Sequence, residues 1–295
     1  MLILPAHFPA TSILRSEGWQ VLDGESPAGL RPLRILFLNL MPQKQVTELD
    51  IARALAFSEH CVRLYPMKIS GQAYKTTPIE HMRTFYSDFE VFEPENFDGL
   101  IITGAPVEHL PFEEVRYWLQ LCRIMDWARS HVRSTLYICW GAQAGLYHHY
   151  GIPKYALPEK CFGIFRQHVL YRGLSLFQGM EPEFLMPNSR HTEVRRQDFP
   201  TNGSLCIVAE SEESGIGVAM SRDGREIFIV GHLEYEPQTL HNEYTRDLKK
   251  GLSILPPLHY YRKECPEQGV DFSWKKSARL FYSNWLDMLS GHQTV

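Results

Sequence analysis

The sequence predicts an α/β fold, with a mostly parallel central sheet covered by helices on both faces and an antiparallel extension. Three observations predict it. Apolar runs at 33–42, 61–67, 98–106 and the start of 134–151 alternate with helical periodicity, as expected of parallel strands joined by crossover helices. The run LRILFLNLMP at 33–42 is nearly continuously apolar and is ended by Pro42, which suits a strand buried on both faces. Three closely spaced strand candidates at 204–211, 215–221 and 225–232, with Asp223-Gly224 as a hairpin turn before the last, supply the antiparallel part.

Residues 1–32 carry Pro5, Pro9, Gly18, Gly24, Pro27 and Gly29 among scattered apolar positions and read as an irregular arm; residues 33–295 read as a single catalytic domain. After the first strand, Leu49, Ile51, Ala52, Ala54, Leu55 and Phe57 predict a helix over 47–58, with Thr47 and Asp50 available to cap its start. CVRLYPM at 61–67 is the second strand and DGLIITGAP at 98–106 the third. The polar and aromatic stretch between them, 68–96, is long enough to hold a substrate loop. Helical spacing of Val115, Leu119, Cys122 and of Leu121, Met125, Ala128 predicts a helix over 113–130. Residues 134–151 then give a fourth strand, a tight turn and a short helix. Two further helices are predicted over 238–250 and 273–289, separated by Pro256-Pro257; the aromatic stripe of the last, Trp274, Phe281 and Trp285, reads as core. No internal repeat or low-complexity tract interrupts this order.

Composition narrows the function. Hydrophobic residues make up 44% of the 295 positions and charged residues 22%, as in ordinary globular proteins. A formal charge of -4 and the absence of a Lys/Arg cluster argue against nucleic acid as a partner. The amino terminus has no basic leader before its short apolar run, and no stretch approaches the length needed to span a bilayer, so a cytoplasmic location is expected. The six cysteines, at 61, 122, 139, 161, 206 and 265, show no close metal-ligand spacing; neither a disulfide framework nor a metal is expected. His148, His149, His168 and His191 suggest no metal set and take no role.

One cysteine stands apart. In Tyr137-Ile138-Cys139-Trp140-Gly141-Ala142-Gln143, Cys139 ends an apolar strand and small residues follow at once. That is the pattern of a nucleophile elbow, in which the sulfur projects from a tight turn at a helix start that favours a thiolate. Alone, the pattern fits a buried cysteine ending a core strand equally well. A second apolar strand, Phe228-Ile229-Val230-Gly231-His232-Leu233-Glu234, ends in His-x-Glu. Strand alternation would put both polar side chains on one side, with His232 as the base for Cys139 and Glu234 fixing its tautomer. As an isolated pair they would read as surface residues past a strand end.

Cys-x-Gly-x-Gln after a strand, with a distant His-x-Glu, resembles the class I glutamine amidotransferase fold group, which is flavodoxin-like, although Tyr137 stands where those enzymes usually have glycine. The match becomes closer with NLMPQK at 39–44, NFDGLIITGAP at 96–106, YICWGAQAG at 137–145, YGIPK at 150–154, NSRHTE at 188–193, GHLEYE at 231–236 and SNWLDML at 283–289. In that order the segments resemble homoserine O-acyltransferases of the MetA family, which act in methionine biosynthesis, over nearly the whole chain.

The resemblance implies a ping-pong acyltransferase. Cys139 would take the acyl group from acyl-CoA as a thioester, and the homoserine hydroxyl, deprotonated by a neutral His232, would resolve it. Backbone N–H groups at Trp140 and in the Leu40-Met41 turn would hold the oxyanion. Lys160, Ser189 and Arg246 would bind homoserine, whereas on residue type alone they read as a surface lysine, a turn residue and a solvent-facing arginine. Glu108 and Ser189 would set acyl specificity. Glutamate at 108, where succinyl-transferring members carry glycine, points to acetyl-CoA, because a succinyl carboxylate would meet a like charge. Glu108 also fits an ordinary loop carboxylate, and succinyl-CoA remains the alternative donor. A glutamine amidotransferase, a cysteine peptidase and a non-enzymatic scaffold are the rival readings. No tightly bound cofactor is implied, the residues holding the CoA nucleotide are not legible, and a homodimer is expected from family and symmetry base rates.

Overall fold

The computed structural model describes residues 1–27, 29–72 and 74–291. Its organising feature is a sheet of twelve strands whose apolar strands feed two separate cores. In β3 (Leu33–Leu38), Ile35 and Phe37 point to one face and Leu36 and Leu38 to the other, and all four are fully buried. That alternation is the geometric consequence of a period of two in a strand covered on both sides. Helices α2 (Lys44–Ala56) and α8 (Lys275–Ser290) cover the first face through Ile51, Leu55, Phe281 and Trp285. Helices α5 (Trp118–His131) and α6 (Trp140–Tyr150) cover the second through Leu121, Met125 and Leu146.

In chain order the remaining elements are β1 (Leu2–Leu4), α1 (Pro9–Ser16), β2 (Val21–Asp23), β4 (Val62–Lys68), α3 (Ile79–Phe85), β5 (Ser87–Asp88), α4 (Phe89–Phe92), β6 (Phe97–Ile102), β7 (Val132–Ile138), β8 (Tyr155–Val169), β9 (Glu183–Glu193), β10 (Leu205–Ser211), β11 (Gly215–Ser221), β12 (Glu226–Ile229) and α7 (Thr239–Lys249). The sheet runs β2-β1-β4-β3-β6-β7-β12-β11-β10-β8-β9, with β5 paired to β4. Every pairing from β2 through β12 is parallel, and every pairing from β12 to β9 is antiparallel. The predicted fold class is therefore the observed one. No helix among the described residues is long and apolar enough to cross a membrane.

Several expectations are corrected. Residues 1–32 are not an irregular arm: β1 and β2 extend the parallel sheet beyond β4, and Leu2, Ile3 and Leu4 are at most 1% exposed. Three-residue strands are too short to show a period, and Pro9 starts α1, where its missing N–H costs nothing, rather than breaking it. Helix α2 begins at Lys44 instead of 47. Thr47 and Asp50 are buried inside it rather than capping it. The Lys44 ammonium instead donates to the carbonyls of Asn39 and Met41, tying the 39–44 turn to the helix start, and burial pulls its pKa down to about 8. The stretch 68–96 folds into α3, β5 and α4, where His81 and Tyr86 both bond Glu48. The helix expected from 113 begins at Trp118, after a single 3-10 turn at Phe112–Glu114. The largest omission is the β8–β9 hairpin, whose strands have 15 and 11 residues.

Candidate active site

The elbow forms where β7 gives way to α6. Cys139 adopts φ 54° and ψ -117°, a left-handed backbone that L residues avoid and that persists only where its surroundings impose it. The Cys139 N–H donates to the Ile229 carbonyl at 2.7 Å, anchoring the bend to the end of β12, and Gln143 N–H returns to the Cys139 carbonyl at 3.1 Å. Gly141 permits the turn. A Cβ there would lie 2.6 Å from the Thr103 carbonyl oxygen, a backbone atom that has no freedom to give way. The departure from the amidotransferase pattern at Tyr137 is accommodated across the strand: its ring is fully buried, stacks on Phe228 with centroids 4.7 Å apart, and faces the bare Cα of Gly145.

His232 lies three residues beyond the end of β12, so the strand expected to reach it stops early. Its position comes from the loop: Val230 N–H donates to Gly217 O and His232 N–H to Pro187 O, both at 2.8 Å. Nδ1 of His232 donates to Oε1 of Glu234 at 2.6 Å, and its ring stacks on Tyr235 at 4.0 Å. His232 and Glu234 are both buried. Burial is the largest single influence on the imidazole and favours its neutral form. The Cys139 thiolate and the Glu234 carboxylate together outweigh it, through charge and through hydrogen bonds to both, so the pKa stands well above the ordinary histidine value. Cys139, His232 and Glu234 are thus one connected set, as the sequence suggested.

The other cysteines differ in their surroundings. Burial pushes the Cys61 and Cys161 thiols up and takes Cys122 to about 11, which makes each a poorer thiolate. All six described cysteines are free.

A cavity of about 250 Å³ opens over the sulfur. Its walls include Glu108, Trp140, Lys160, Ser189, His191 and Arg246, together with Cys139 and His232. Segments remote from one another in the sequence thus meet around one thiol, brought there by the β6 end, the elbow, the β8–β9 hairpin and α7.

With this geometry in hand, comparison with known proteins is decisive. The chain matches the family model described as homoserine O-succinyltransferase over residues 1–294. The chain belongs to this family of homoserine O-acyltransferases. A homoserine O-acetyltransferase of Phocaeicola vulgatus is 50% identical over 97% of this chain and 94% of its own length. That of Parabacteroides distasonis is 51% identical over 97% and 93%, and that of Brevibacillus brevis 46% over 96% and 94%. Among solved structures, a glutamine amidotransferase from Thermotoga maritima aligns with a TM-score of 0.56 at 12% identity, covering 88% of this chain and 98% of its own. A second glutamine amidotransferase, from Methylobacillus flagellatus, gives 0.54 at 14%, covering 88% and 95%. These likenesses show the class I glutamine amidotransferase-like fold. The relatives show that the chain is an acyltransferase.

Within this acyltransferase, two expected oxyanion donors are engaged elsewhere. Leu40 N–H donates to the Thr103 hydroxyl at 2.8 Å and Met41 N–H to the Asn39 side chain at 3.1 Å. Met41 lines the cavity and Leu40 does not. Trp140 opens α6, where first-turn N–H groups have no acceptor within the helix. The cavity also takes no wall from the described residues of 68–96, where a substrate loop was expected.

Lys160, Ser189 and Arg246 share the cavity wall but each already has a partner. Arg246 donates through Nε and Nη2 to the two oxygens of Asp247 at 2.7 and 3.0 Å. Lys160 lies 3.5 Å from Glu243 and 3.8 Å from Asp247, and the Ser189 and Tyr235 hydroxyls both donate to Glu243. Glu243 and Asp247 were missed by sequence reasoning. The signal available was their spacing with Arg246 on α7, which a solvent-facing helix would share. Gln143 was recognised only as part of a motif, and its amide exchanges two hydrogen bonds with Thr192, locking α6 to β9. Arg190 is also new: buried to 3% exposure, its guanidinium is held by Asn188, Thr192 and Ser214 oxygens at the cavity wall.

Proposed function

We propose that the chain transfers an acetyl group from acetyl-CoA to the hydroxyl of L-homoserine through a thioester on Cys139, giving O-acetyl-L-homoserine for methionine biosynthesis. Family membership supports the coarser statement, acyl transfer from an acyl-CoA to homoserine. The observation that carries the finer one is the opening of Cys139, paired with buried His232 and Glu234, into a cavity that also contains Glu108.

The reactive form of the pair is a thiolate beside a protonated His232, whose proton the Cys139 and Glu234 charges favour. The thiolate attacks the acetyl carbonyl of acetyl-CoA, and collapse of the tetrahedral intermediate breaks the bond to CoA sulfur, which takes the His232 proton and leaves as the thiol. Thioester formation removes the charge that kept the imidazole protonated. His232 is then neutral when the homoserine hydroxyl arrives, accepts its proton, and the alkoxide attacks the thioester to regenerate the thiolate. Glu234 orients the ring throughout. Trp140 N–H is the preferred oxyanion donor; Leu40 and Met41 would first have to release Thr103 and Asn39.

Lys160, Ser189 and Arg246 suit a zwitterionic acceptor, the cations for its carboxylate and the neighbouring Glu243 and Asp247 for its ammonium. Donor choice follows from Glu108. The family description names succinyl transfer while the curated relatives at 46–51% identity are named for acetyl transfer. A carboxylate on the cavity wall disfavours the distal carboxylate of a succinyl group and leaves acetyl unopposed.

Initial rates with L-homoserine and either acetyl-CoA or succinyl-CoA, following free CoA and product mass, test the reading. Acetyl transfer that is favoured and disappears in C139A supports it. A preference for succinyl-CoA overturns the role of Glu108, and transfer retained by C139A overturns the thioester.

A further inference from the structure

One cluster of ligating side chains joins Glu108 to two histidines that have no role in the reaction just described. Glu108 and His109 sit on the loop after β6, and His191 on β9 reaches the same point from the hairpin. The His109 and His191 ring centroids are 4.9 Å apart. One ligating atom from each of Glu108, His109 and His191 lies within 4.8 Å of the other two. We propose that these three residues form a transition-metal site, suited to zinc, at the mouth of the acyl-CoA cavity, and that its occupation closes the cavity.

The donor set fits the ion. Two imidazoles and a carboxylate are a combination zinc takes with a fourth position open, and ligands at about 2.0–2.2 Å put donor atoms roughly 3.4 Å from one another. The three ligating atoms lie within 4.8 Å of one another, and His109, which is exposed, has room to rotate towards the other two. Lys160 and Lys154, whose ammonium donates to the Glu108 carbonyl at 2.7 Å, oppose a cation, and the Glu108 and Asp247 carboxylates favour it. Magnesium and calcium prefer oxygen-rich sets and are not expected to bind.

The consequence follows from the walls. Glu108 and His191 both line the cavity over Cys139, whereas His109 does not. An ion held between them draws the loop and β9 together across the opening and occupies the carboxylate that faces the incoming acyl group. Inhibition competitive with acyl-CoA and reversed by a chelator is expected. This consequence rests on the acyltransferase reading of the cavity, while binding itself does not.

Calorimetric titration of zinc into C139A, with magnesium as control, decides the site, and inhibition of the intact enzyme decides its effect. One zinc bound by C139A, lost in His191→Gln and weakened in His109→Gln, is expected. Losing a mere partner of a ligand commonly costs 10–100-fold in metal affinity, so losing His109 should cost at least roughly tenfold. H109Q should keep its acyl-transfer rate and resist zinc to a similar extent. Zinc affinity unchanged by H109Q, or zinc bound only when Cys139 is present, would overturn the proposal by locating the metal at the thiol. Stoichiometric binding without inhibition would overturn the closure.

Discussion

The two halves of the sheet contribute to the cavity in different ways. In the proposed mechanism the parallel half supplies chemistry from strand ends: β7 presents Cys139 in a strained turn, and the segment after β12 presents His232 and Glu234. In the proposed mechanism the antiparallel half supplies recognition from strand faces: β8 carries Lys160 and β9 carries Ser189, Arg190 and His191, with α7 adding Glu243 and Arg246. A strand end next to a helix start concentrates unpaired backbone dipoles, which suits a charged nucleophile. A two-stranded ribbon instead offers alternating side chains over a length, which suits shape and charge matching. Gln143 and Thr192 join the two halves.

Substitutions separate these contributions. The largest effect is expected at the parallel end: C139A should lower acyl transfer by about 10⁴-fold or more, and H232N by about 10²–10⁴-fold, measured as kcat with saturating substrates. E234Q should lower kcat by roughly a hundredfold and bring the His232 pKa down, because one of the two charges holding its proton is gone. A shift in the pH profile of thiol alkylation at Cys139 reads this directly, and an unmoved profile would separate Glu234 from the pair. At the antiparallel end the split should reverse. Arg246→Lys loses the two-pronged donor and should raise the KM for homoserine about tenfold while changing kcat less; an equal fall in kcat alone would erase the distinction between the two halves.

Stability gives two finer contrasts. Cys139→Gly should abolish transfer yet stabilise the fold by about 1 kcal/mol in chemical denaturation, because glycine accepts φ 54° without strain. Loss of stability would mean that the thiol packs more than it strains. Behind Glu234 a second cavity is lined by Asp50 and Glu236, among others, and Glu234 Oε2 has no hydrogen-bond partner among the described residues. Burial, then the charges of Glu234 and Glu236, push Asp50 up to about 8. The native state therefore binds a proton that the unfolded chain has released above about pH 4, and stability falls as pH rises from there towards 8. D50N should remove that loss, so its denaturation midpoint should exceed that of the wild type at pH 8 and converge with it near pH 4.

The structure explains which residues were readable. β3, β4, β6 and β7 were legible because both faces are covered, which leaves unbroken apolar runs. The β8–β9 hairpin was not, because β8 mixes exposed and buried positions: Leu157 and Phe162 share a strand with Glu159 and Lys160, and pairing is irregular between Ala156 and Cys161. Neither an alternation nor a continuous run survives that mixture. Cys139 announced itself through the small residues that its turn requires, whereas Glu243 and Asp247 look like any polar helix face until Lys160 and Ser189 arrive from the β8–β9 hairpin.

The sequence by itself determined the layered α/β class, the elbow at Cys139 and the His-x-Glu partner. Each of these is written in contiguous residues whose local period or backbone demand has few solutions. Only the tertiary structure decided that β1 and β2 join the sheet, that Thr103 and Asn39 occupy the amides of Leu40 and Met41, and that His109 meets His191. Those outcomes depend on which strand ends and loops the sheet order brings within a few ångströms, and distances between remote segments leave no periodic trace in the chain.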